Sequence, residues 1–137
     1  MKYLLDTNVV SELRSRRGAA QVRAWVDAQS ALDLAISVVT LIEIETGILR
    51  LARRDPAQAK LLDSWFTDRL LPAFADRTLP IDLAVARRVA VLHVPDPAPK
   101  HDALIAGTAL ANDLIVVTRN TADIQRTGVE VLDPWRQ

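Results

Sequence analysis

Apolar positions fall along this chain in two rhythms. Short unbroken runs, such as Tyr3-Leu4-Leu5, are bounded by turn and capping residues. Between them, apolar side chains recur every three or four positions. The runs predict buried strands over residues 2–6, 34–39 and 114–118, and shorter ones over 78–81 and 129–132. The first run stops at Asp6-Thr7-Asn8, and Val9, Val10 and Leu13 follow at helical spacing. Residues 15–18 read as a polar, basic loop, and residues 20–29 as a helix with Val22, Trp25 and Val26 on one side. After the second strand, Thr40 is placed to cap a helix reaching Arg54, with Glu43 completing a capping box. Leu41, Ile44, Ile48 and Leu51 form its core stripe. Asp55-Pro56 open a helix running to Leu70, and Asp82 caps another running to His93. Pro95, Pro97 and Pro99 then interrupt the chain as an ordered loop or lid. Helix resumes near Lys100 and ends near Asn112, and residues 120–124 read as a turn. Strands alternating with helices predict an α/β fold with a central parallel sheet covered on both faces. Such sheets carry their chemistry just beyond the carboxyl ends of the strands.

Composition narrows the chemistry. A chain of 137 residues has room for one ordinary domain. Cysteine is absent, which excludes disulfide scaffolds, zinc ribbons, iron–sulfur clusters and thiol catalysis. Two histidines, His93 and His101, are too few for a His-rich metal site. Seventeen acidic residues balance 17 basic ones, so any nucleic-acid contact has to be local. The apolar start is cut off by Asp6 too early for a signal peptide, and no apolar stretch approaches a membrane span. The expectation is a soluble, cytoplasmic protein.

Acids mark the places where a parallel sheet puts function. Asp6 follows the first strand, Glu43 lies after the second, Asp102 opens the helix after the proline loop, and Asp123 follows the strand 114–118. Singly, each has a structural explanation: a cap, a capping box, a helix-start acid, a turn. Together they point to one rim. Gly47 leaves space beside Glu43, and Ala103, Ala106 and Gly107 surround Asp102 with small residues. Clustered carboxylates repel one another unless a cation lies among them. Oxygen ligands suit Mg²⁺ or Mn²⁺, ions that serve phosphate chemistry. His101 beside Asp102 reads either as a general base or, more simply, as an exposed helix-start residue. Ser11 and Ser37 lack a nucleophile-elbow context.

The segments LLDTNVVSEL at the start, TLIEIETGI from Thr40, HDALIAGTALANDLIVVTRNTADI from His101 and VLDPW at the end resemble VapC-type PIN-domain toxins. The resemblance is to the FitB-like branch, runs through nearly the whole chain and keeps the family's order. It implies a PIN-like α/β/α sandwich over residues 1–137 as a single domain. It also implies an Mg²⁺- or Mn²⁺-dependent endoribonuclease, a cognate antitoxin and a homodimer. By position, Asp6, Glu43 and Asp102 match the family's first three acids. Asn120 stands where relatives often carry the fourth, and Asp123 comes three residues later, so either Asp123 completes the set or it supports it. Thr118 matches the family's strand-end hydroxyl, which can orient a water on the metal, and Asn8 joins Asn120 as a supporting residue.

Arg14, Arg16 and Arg17, in the loop after Asp6, are the leading candidates for holding RNA. Aromatics are scarce, which favours recognition of a structured RNA by shape and phosphate contacts, tRNA by the family's example. Residues 57–71, with Leu61, Leu62, Trp65, Phe66 and Leu70, are richer in apolar side chains than one core face needs and suit docking of an antitoxin helix. A phosphatase of the haloacid-dehalogenase type requires an acid where Asn8 stands, and a receiver domain requires a lysine near Thr118. Two rivals stay open: a nuclease of the same fold acting on DNA, and a catalytically weak PIN-like module that binds nucleic acid or protein.

Overall fold

The structure, a computed structural model, describes residues 1–14 and 18–137. The first strand, β1 (Tyr3–Leu5), is buried throughout and leads through Asp6 into α1 (Thr7–Glu12). Helix α2 (Ala20–Asp27) precedes β2 (Leu34–Ser37), and α3 (Val38–Ala52) follows without a loop. Helix α4 (Pro56–Trp65) continues through a wider turn (Phe66–Leu70) into the short α5 (Leu71–Ala73). After β3 (Thr78–Leu79) come α6 (Leu83–Leu92) and α7 (Lys100–Ala111), with the proline loop between them. The chain closes with β4 (Ile115–Val117), α8 (Thr121–Gln125) and β5 (Val131–Leu132).

The five strands lie in the order β3-β2-β1-β4-β5, every pair parallel. Side chains alternate between two buried faces. Tyr3, Leu5, Leu34, Ile36 and Val117 pack with α1, α2 and the α4 region on one side. Leu4, Ala35 and Val116 pack with Ile105, Ala106 and Ala109 of α7 on the other. The expected α/β/α sandwich is therefore the architecture found. Central β1 and its neighbour β4 flank the point where strand order reverses, where such sheets open a crevice at their carboxyl ends.

Several local expectations are corrected. The second strand ends at Ser37, and Ser37 caps α3 by accepting a hydrogen bond from the Val39 amide at 3.0 Å. Thr40 is buried inside the helix, so it forms no capping box with Glu43. A serine at the strand end supplies the cap three residues earlier than a threonine could. Residues 121–125 form a helical turn where a plain turn was expected. Gly107 serves helix packing and does not make space for Asp102: a Cβ there would run into Val89 Cγ2 on α6. Gly47 does face open space, as expected. Of the predicted basic loop, residues 15–17 lie outside the described residues.

Candidate active site

Asp6 is presented by the end of β1 and is 2 % exposed. It caps α1, with Oδ1 accepting from the Thr7 amide at 2.8 Å. Its other oxygen, Oδ2, accepts from the Thr118 hydroxyl at 2.9 Å. Thr118 is itself held at the end of β4 by two donors, Asn8 Nδ2 at 3.2 Å and the Asn120 amide at 3.0 Å. Asn8 Oδ1 in turn accepts from the Arg119 amide at 3.3 Å. A strand end that must hand over to a helix and a crossing loop thus becomes a rigid mount for one carboxylate.

His101 was expected most simply as an exposed residue, and the structure overturns that. Its Nε2 lies 2.9 Å from Asp6 Oδ1 and its Nδ1 lies 2.6 Å from Glu43 Oε1. The Asp6 contact is an aligned hydrogen bond. The Glu43 contact is an ion pair out of line with the ring N–H, since Nδ1 is buried with no hydrogen-bond partner. The hydrogen bond to Asp6 raises the His101 pKa above the usual imidazole range, and the charges of Asp6, Glu43 and Asp102 add to it against the opposing effect of burial. The neighbouring carboxylates therefore favour the protonated ring, which lies between Asp6 and Glu43. Glu43 is further tied by Thr7 Oγ1 at 2.9 Å, which also lies 3.0 Å from Thr40 Oγ1.

Asp102 and Asp123 form a second acidic pair. Both line the cavity beside the proline loop. Burial pushes the Asp102 carboxyl above its ordinary value. The charge of His101 opposes this, and the charges of Asp123 and Asp6 reinforce it. Asp123 is exposed on α8, and Asn120 contributes its backbone amide to Thr118. Thr118 gives its proton to Asp6, so in this arrangement it positions a carboxylate and has no proton to spare for a water. Arg14 lies on the far side, lining a groove of about 740 Å³ with Thr7, Ser11, Glu43 and the apolar side chains of α3 and α4. Arg16 and Arg17 lie outside the described residues.

The sequence-predicted acids are thus gathered at one end of the sheet as two pairs. Among the described residues, no three acidic or histidine side chains are arranged as a ready-made metal cage. The donor chemistry nonetheless suits a hard divalent ion: the acids offer carboxylate oxygens, and the His101 ring lies between two of them. His101 is what sequence reasoning missed. The signal available was its adjacency to Asp102 at the first turn of a helix beyond the proline loop.

Comparison with known proteins agrees with the fold. The family described as PIN domain matches residues 3–130. The chain is 35% identical over 140 residues to "VapC ribonuclease Y4jK" of Sinorhizobium fredii, covering 96% of each chain. It is 34% identical over 138 residues to "Toxin FitB" of Neisseria gonorrhoeae, covering 96% of this chain and 97% of that one. The crystal structure of FitAcB from Neisseria gonorrhoeae superposes with a TM-score of 0.90 at 31% identity, over 98% of this chain and 99% of that one.

Proposed function

The chain belongs to the PIN-domain family, and from that premise we propose that it is the toxin of a toxin–antitoxin pair and acts as a metal-dependent endoribonuclease on structured RNA, tRNA being the favoured class. The observation that carries the reading is the mounted, buried Asp6 facing Glu43 across the His101 imidazole. Two carboxylates that need a cation between them, with further acids beside, are the expected ground plan for divalent-metal phosphodiester chemistry. Relatives named as a ribonuclease and as a toxin support the same reading.

Asp6, Glu43, Asp102 and Asp123 are the residues that would hold Mg²⁺ or Mn²⁺. Such an ion supplies Lewis-acid polarisation of a phosphoryl oxygen and neutralises charge developing on the leaving oxygen. An ion held by Asp6 would compete with His101 for Oδ1. Thr7 and Thr118 hold both oxygens of Asp6 in fixed directions. Asp102 and Asp123 bring the extra negative charge, and Arg14 stands at the groove to meet a phosphate.

The same groove fits the antitoxin. It descends from Thr7 and Glu43 along α3 and α4 between Ile48, Leu61, Leu62 and Trp65, an apolar floor with a charged mouth. An amphipathic helix buries its apolar face in such a channel, and structural neighbours of this chain are toxin–antitoxin complexes. A cationic antitoxin side chain reaching Glu43 and Asp6 would occupy the place His101 now holds.

The test is incubation of purified, antitoxin-free protein with total small RNA and, in parallel, single-stranded DNA, in Mg²⁺, Mn²⁺ or EDTA. Discrete RNA ends that vanish in EDTA are expected. Cleavage of DNA alone transfers the reading to the DNA-directed alternative, and no cleavage of either in both metals transfers it to a binding module.

A further inference from the structure

A second cavity, about 360 Å³, shares no lining residue with the groove along α3 and α4. Its volume is near the low end for small-ligand sites, too small for a duplex. Its lining includes the apolar Val91, Val94 and Pro97 and the polar Asp102, Asp123 and Arg126. Val91 and Val94 are 69% and 74% exposed, whereas every other valine of the chain is buried or half-buried. The loop that carries Val94 and Pro97 is held in shape, with the Ala98 amide donating to His93 Nδ1 at 3.0 Å and the Val94 amide donating to Val91 O at 3.2 Å.

This cavity is continuous with the acidic cluster, because Asp102 and Asp123 belong to both. A strand whose phosphate lies over the acids therefore has its neighbouring nucleotide at the cavity mouth. The walls match the two halves of a nucleotide. An aliphatic and proline face takes the flat of a base, a carboxylate oxygen of Asp102 or Asp123 left free by the ion accepts from an exocyclic amino group, and an exposed guanidinium meets a phosphate. Uracil has no exocyclic amino group to offer those carboxylates.

We propose that this cavity binds one unpaired, amino-bearing nucleotide beside the scissile phosphate, with Val94 and Pro97 against the base and Arg126 on the adjacent phosphate. The proposal rests on the ribonuclease reading above and adds its sequence preference. A pocket for one splayed-out base fits a protein that reads a structured RNA at a loop, where bases are already unstacked.

The experiment sequences the RNA ends left by the wild type, Val94→Trp and Arg126→Ala in the presence of Mn²⁺, with KM measured on one short RNA. Both positions are exposed, so thermal melting of the variants is expected to match the wild type. The wild type is expected to cut with uridine depleted at one of the two flanking positions. Val94→Trp fills the cavity, erases that depletion and raises KM by about tenfold, the scale of losing one base contact. Arg126→Ala raises KM while keeping the base preference. A wild type that cuts RNA with no flanking preference, or a Val94→Trp variant with an unchanged one, overturns the proposal and leaves the ribonuclease reading standing. A wild type that cuts no RNA overturns both.

Discussion

His101 decides how the site behaves without metal. Its contacts raise its pKa above the ordinary 6.5, so the folded protein binds that proton more tightly than the unfolded chain does. The stability it contributes is then fully present below about pH 6.5 and is lost as pH rises through the folded value. Asp102, also raised, acts in the same direction from its ordinary 3.8 upward. The metal-free protein is therefore expected to melt at progressively lower temperature as pH rises from 6 to 8, and His101→Gln is expected to flatten that slope. Melting curves in EDTA across this range check it, and a wild-type profile flat in pH contradicts it. The ring also competes with a cation for Asp6 Oδ1, so His101→Gln is expected to bind Mn²⁺ more tightly by titration calorimetry. Weaker binding in that variant would make the imidazole a ligand in its own right. Thr118→Val removes the donor on Asp6 Oδ2 and is expected to cost roughly 10- to 100-fold in metal affinity, the scale for groups that orient a ligand. Asp6 was legible in the sequence because a strand that ends in Asp-Thr-Asn has to turn there. The His101 bridge was not, because it depends on where the proline loop delivers α7, which no local pattern encodes.

At the level of elements, strand runs and helical stripes were read correctly wherever a long apolar pattern met a clear stop. The α3 start shows where that reading failed. Ser37 and Thr40 are both plausible caps, and only the parallel register of β2 with β1 and β3 fixes which residue leaves the sheet first. Ser37→Ala is expected to destabilise the protein by about 1 kcal/mol, the usual worth of an N-cap, measured by urea unfolding. Thr40→Ser leaves that cap intact. Glu43 is thereby left without a capping role, its partners among the described residues being Thr7 and His101. Gly107 was read as space for an acid and proves to be the close approach of α7 to α6. Gly107→Ala is expected to cost about 1–3 kcal/mol from overpacking. It should also lower cleavage, because α7 carries Asp102 and His101 into the site.

Across the whole molecule, two concave surfaces lie near the carboxyl ends of the strands. The larger runs down α3 and α4 with an apolar floor and a charged mouth, and the smaller lies beside the proline loop. Leu61 is 67% exposed on the larger surface and makes none of the acid contacts described above. Leu61→Glu is expected to weaken antitoxin binding by about tenfold or more, as loss of an apolar anchor does, while RNA cleavage by the free toxin is unchanged. Equal binding by the variant would place the antitoxin elsewhere. The overall layout was legible because alternating strands and helices leave few topologies open. The joining of Asp6 and Glu43 was not, because it depends on the side-chain direction of His101, 95 positions from Asp6. No helix among the described residues is long and apolar enough to cross a membrane.

If these carboxylates hold the ion needed for RNA cleavage, removing the ion or one carboxylate abolishes cutting. Cleavage of a single RNA across a Mn²⁺ titration, with wild type and Asp6→Asn side by side, measures this. The wild type is expected to be silent in EDTA and to saturate with Mn²⁺, and Asp6→Asn to fall by at least roughly 100-fold, the upper end of what disturbing a ligand's support costs. Wild-type cleavage that persists in EDTA, or an Asp6→Asn variant cutting at the wild-type rate, would contradict the account.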